Sequence, residues 1–90
     1  MTKDEIQKLV VSKLEEIQTL SGREVPELAN STRPLIDLEG FDSLNALELA
    51  AILSQFLQID EKENPCWSKA EKRALSVREM VDKLFSFQTA

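Results

Sequence analysis

Apolar side chains at Ile6, Leu9, Val10, Leu14 and Ile17 recur at the three-to-four-residue spacing of one helix face. Thr2 and Glu5 precede them in the T-x-x-E pattern of a capping box. Ser21-Gly22 supplies a stop, because glycine tolerates the left-handed conformation that follows many helices. The pattern predicts a first helix over about residues 3–20. A second periodic run follows Asp42, a suitable N-cap, and predicts a helix over about 43–57. On its wheel Leu49, Ile52, Leu53 and Phe56 share a core face, with Ala46 and Leu57 beside them. Leu44, Glu48, Ala51 and Gln55 line the opposite side, flanked by Leu47 and Ser54. Leu44 and Leu47 thus stand where a solvated face would carry polar residues, beside Glu48. A third run, Val77, Met80, Val81, Leu84 and Phe85, predicts a helix over about 77–87. Ser76 and Glu79 give it a capping box, and Leu75 with Met80 a hydrophobic staple.

The segments between these runs are less regular. Residues 21–41 read as a long loop, broken by Pro26 and Pro34 and turning at "ANST". Val25, Leu28, Leu35, Ile36, Leu38 and Phe41 are available to anchor it to the core. In "NPCWSKAEKRAL", Asn64-Pro65 and the Ser68/Glu71 pair are both helix-start signals, which predicts a short helix within 65–74. No strand pattern or internal repeat is visible. The expected fold is therefore all-α: one domain over residues 1–90, a small four-helix bundle with three main helices and a short third one.

Charge changes the picture more than composition does. Residues 34–61 hold six acids (Asp37, Glu39, Asp42, Glu48, Asp60 and Glu61) and no lysine or arginine. Such a segment repels phosphate backbones, so nucleic-acid binding is not expected, and it attracts proteins with basic patches. The start "MTKDEIQKLV" holds no long apolar run, so neither a signal peptide nor a membrane span is expected, and a cytoplasmic monomer is.

The residue inventory also excludes chemistry. The chain has no histidine, so Ser43 cannot belong to a Ser-His-Asp triad and Cys66 cannot be paired with a histidine base. Cys66 as the single cysteine rules out an intramolecular disulfide, and no neighbouring residue type activates it. Neither a calcium loop nor a glycine-rich phosphate loop occurs, so no metal and no catalysis by this chain are expected. Trp67 is expected to pack, with ligand stacking as the minority alternative. What remains is Ser43 in "GFDSLNALEL". At a helix start it is either a capping residue or an attachment point, since the free N–H groups and partial positive charge there favour a phosphate. The Asp42 carboxylate opposes a phosphate and suits instead a metal ion or a base held by a modifying enzyme.

The same residues resemble the D-S-L motif of acyl carrier proteins: Asp42-Ser43-Leu44, with Glu48 and Leu49 a turn later. The amphipathic first helix, "PLIDLEGF" before the motif and "AEKRALSVREMVDKLF" at the end are similar to that family's arrangement. The resemblance implies a four-helix bundle that is not itself an enzyme. It implies 4′-phosphopantetheine, attached to Ser43 by a phosphopantetheinyl transferase and carrying acyl groups as thioesters. Asp42, Leu44, Leu47 and Glu48 would be read by the transferase and by partner enzymes of fatty-acid, lipid or polyketide-type synthesis. Leu49, Leu53 and Phe56 would wall a space for the acyl chain, or would simply be core. Three departures point to a specialised carrier: Asn45 where the family often has an acid, "AAILSQFLQ" without the usual acidic cluster, and a longer segment from Gln58 to Ser68. An aminoacyl or peptidyl carrier, and an unmodified acidic adaptor binding proteins through the central helix, are the alternatives.

Overall fold

The Thr2 hydroxyl accepts from the Glu5 amide and the Glu5 carboxylate from the Thr2 amide, so both halves of the first capping box form. They open α1, Lys3–Leu20. The computed structural model describes residues 1–60 and 62–88, so Glu61 lies outside the described residues. Along α1, Ile6, Val10, Leu14 and Ile17 are buried, as their spacing requires. The helix ends in a Schellman motif: the Gly22 amide donates to the Thr19 carbonyl and the Arg23 amide to the Gln18 carbonyl. Gly22 takes a φ of +71°, the left-handed value expected of it.

The predicted loop over 21–41 contains one helical turn, α2, Pro34–Asp37. Pro34 does not merely break the chain. Its fixed φ and missing N–H suit the first helical position, and the Arg33 amide donates to the Asp37 carboxylate to close the turn. Of the six expected anchors, Leu38 and Phe41 are buried and Leu28 and Leu35 pack partly against the core. Val25 and Ile36 are exposed instead. The "ANST" turn forms, with the Thr32 amide donating to the Ala29 carbonyl.

α3 spans Ser43–Leu53, four residues shorter than its periodicity predicts. The Ser54 hydroxyl donates back to the Ala51 carbonyl, and the next amides form tighter turn bonds, Gln55 to the Ile52 carbonyl and Phe56 to that of Leu53. The turn carries Leu57 into the core but leaves Phe56 outside.

The short helix expected within 65–74 does not form. That stretch holds a hairpin of β1, Trp67–Ser68, and β2, Arg73–Ala74, paired antiparallel with Trp67 opposite Ala74. The Ser68 hydroxyl does accept from the Glu71 amide, but Glu71 does not reach back to complete a box; it pairs with Arg73. The pattern therefore closes a turn, which Lys72 completes at a φ of +54°. Asn64-Pro65 likewise makes a side-chain turn, with the Asn64 amide oxygen accepting from the Cys66 amide.

α4, Val77–Gln88, begins with the predicted Ser76/Glu79 capping box. Its first amides, Val77 and Arg78, donate to the carbonyls of Thr32 and Asn30 in the long loop. α1 packs against both α3 and α4, and one hydrophobic cluster joins all three with Leu38 and Phe41. The radius of gyration is 11.9 Å, against about 12 Å for a compact chain of this length, so the long loop lies against the core.

Candidate functional site

The start of α3 is set by Asp42. Its backbone is extended, and its Oδ1 accepts from the amides of Leu44 at 3.0 Å and Asn45 at 3.1 Å. The Asn45 side-chain oxygen accepts in return from the Asp42 amide at 3.4 Å. Asp42 is thus the cap, and Ser43 is the first helical residue. This decides one of the two readings of Ser43: it does not cap the helix. Its side chain is exposed, and its hydroxyl has no hydrogen-bond partner among the described residues. Asp42 Oδ2 also has none there, so the carboxylate is half committed to the cap and half open.

Beneath this turn lies a polar contact that helical periodicity does not reveal. Gln18 is fully buried at a position where the stripe of α1 would call for an apolar side chain. Its Nε2 donates to the Glu39 carbonyl at 2.9 Å. Arg23 Nη1 donates to Gln18 Oε1 at 3.2 Å and to Asn45 Oδ1 at 3.1 Å. Gly40 folds over the guanidinium with a φ of +68°, and a Cβ there would meet Arg23 Nε at 2.7 Å. The signals for this contact in the sequence were a polar residue in an apolar stripe and an Asn at the third helical position.

The other predicted site residues fall into two groups. Leu44 is 73% exposed and Leu47 41% exposed, with Glu48 exposed beside them, so the outward face next to Ser43 is as expected. Leu49 and Leu53 are fully buried in the packed core. Phe56 is 53% exposed and lies under the Lys13 ammonium, 5.2 Å from its ring centre. It therefore does not form a wall with Leu49 and Leu53, because the helix that would have turned it inward ends three residues earlier. A groove of about 570 Å3 is lined by α1 residues and Leu28, none of them an expected site residue.

Cys66 is fully buried and unpaired, and burial pushes its thiol up to about 12. Trp67, opposite Ala74 in the hairpin, is 37% exposed. Among the described residues no group of His, Cys, Asp or Glu could hold a metal ion, and no helix is long and apolar enough to cross a membrane. Comparison with protein-family models, curated proteins and solved structures gives no match.

Proposed function

We propose that the chain is an acyl carrier protein, modified on the Ser43 hydroxyl with 4′-phosphopantetheine. The observation that carries this reading is the division of labour at the start of α3. Asp42 makes the cap, which leaves an exposed serine with an uncommitted hydroxyl at the head of an 11-residue helix. A serine serving only the helix would be expected to supply the cap itself.

The residues at the turn fit the group. The helix N-terminus favours a phosphodiester on Ser43, while the neighbouring Asp42 carboxylate offsets part of that field. The open Asp42 oxygen is available to a transferase, and Leu44 with Leu47 offers it an apolar contact. When attached, the arm supplies a thiol that carries acyl groups as thioesters. The chain's own residues hold the serine outward and present Glu48 to a basic partner. With Phe56 outside the core, the reading includes no acyl space walled by Leu49, Leu53 and Phe56.

The exposure of Leu44 and Leu47 also suits a second reading, an unmodified adaptor that binds a protein through α3. Intact mass separates the two. Incubation with coenzyme A and a promiscuous phosphopantetheinyl transferase should add one phosphopantetheine to the wild type and none to Ser43→Ala. No addition, with a control carrier modified in the same tube, would leave the adaptor.

A further inference from the structure

We infer that Arg23 is the positioning residue of the Ser43 turn: its guanidinium ties the end of α1 to the first turn of α3. This rests on the carrier reading above, and it names a residue outside the D-S-L motif on which modification would depend.

The placement of Arg23 begins with the backbone. The Schellman motif puts it two residues past the cap of α1, with its amide on the Gln18 carbonyl. An apolar contact back to the third-last residue often accompanies that motif. Here the contact is polar, Arg23 Nη1 to Gln18 Oε1. The same nitrogen reaches Asn45 Oδ1, an atom that already accepts from the Asp42 amide. Gln18 uses its other end on the Glu39 carbonyl. Three segments therefore meet at one guanidinium: the end of α1, the turn at Glu39-Gly40, and the first turn of α3.

Two further observations make the arrangement specific. The absence of a side chain at Gly40 lets the turn close over Arg23, since a Cβ would lie 2.7 Å from Nε. Arg23 also makes no ion pair among the described residues, so its charge is spent on the two amide oxygens. A lysine ammonium on a flexible stem lacks the planar fork that lies beneath the Gly40 turn.

A transferase must meet Ser43 in one orientation. If the turn holds that orientation only part of the time, apparent affinity falls by that fraction while the chemical step is unchanged. The test is steady-state modification of wild type, Arg23→Gln, Arg23→Lys, Asn45→Ala and the Arg23→Gln/Asn45→Ala pair. Hydrogen exchange of the Leu44, Asn45 and Val10 amides is followed in parallel. The expected result is a KM about tenfold higher for Arg23→Gln, with kcat within about twofold. Arg23→Lys should recover only part of the loss, and the double variant should lose less than the sum of the singles. The Leu44 and Asn45 amides should exchange faster in Arg23→Gln while Val10, in the middle of α1, does not. Unchanged KM, additive losses, or equal acceleration at Val10 would overturn the inference and leave the carrier reading standing. A wild type that no competent transferase modifies would overturn both.

Discussion

Asp42 and Ser43 are adjacent and exposed, yet substitution should affect them differently. Asp42→Ala removes a carboxylate oxygen that accepts from two amides, so it should cost about 0.5–2 kcal/mol in urea unfolding. Ser43→Ala removes a hydroxyl with no partner among the described residues and should stay within about 0.5 kcal/mol of wild type. Equal losses would mean that the serine shares in the cap. Cys66 gives a second test at this scale. A thiol that is fully buried, with its pKa pushed up to about 12, should not react with a disulfide reagent at pH 8 until urea unfolds the chain. Rapid labelling of the folded protein would show that the loop around Cys66 opens. What the sequence made legible at this scale was local: the Asp42 cap and the outward Ser43 depend on neighbours one to three residues away. Gln18, Arg23 and Gly40 were not legible as a group, because the bonds that join them to Glu39 and Asn45 span 21 and 22 positions.

At the scale of the elements, the start of α4 is tied down by ion pairs. Glu79 completes its capping box and also meets Arg73 and Arg33. The Arg73 guanidinium first, then the Ser76 amide, hold the Glu79 carboxyl well below the usual carboxylate range. A depressed folded pKa means that this contribution to stability is complete above the unfolded value of about 4.3 and fades as pH falls below it. Urea unfolding at stepped pH should therefore lose stability below about pH 4, and Glu79→Gln should show a shallower decline over that range. Parallel curves would place the acid sensitivity elsewhere. The three long helices are readable because a helix-start signal precedes an apolar periodic run in each. The hairpin looks like a helix start in the sequence because Ser68 and Glu71 have the same spacing in a capping box as in a simple turn. What decides between the two is where the Glu71 carboxylate goes, and it goes to Arg73. The end of α3 is hidden for a related reason: apolar periodicity continues through Phe56, while the amides of Gln55 and Phe56 turn to the carbonyls of Ile52 and Leu53.

At the scale of the whole molecule, charge is distributed unevenly, and the segment that holds Ser43 has no basic residue from Pro34 to Glu61. If a basic partner reads that side, modification by the transferase should slow as salt rises from about 0.05 to 0.5 M, because screening shortens the reach of exposed charges. Glu48→Lys should slow it at low salt and reduce its salt dependence. Salt-independent modification would mean that the apolar pair Leu44 and Leu47 carries the recognition alone. The bonds from Val77 and Arg78 to the Thr32 and Asn30 carbonyls have a consequence for the order of assembly. As the chain leaves the ribosome, the receptors for the start of the last helix are synthesised more than forty residues before the helix itself. A 12-residue helix is marginal in water on its own, so a peptide of residues 76–88 should be largely unstructured by circular dichroism. Residues 1–76, in turn, have to wait with part of their core uncovered until residues 77–88 arrive.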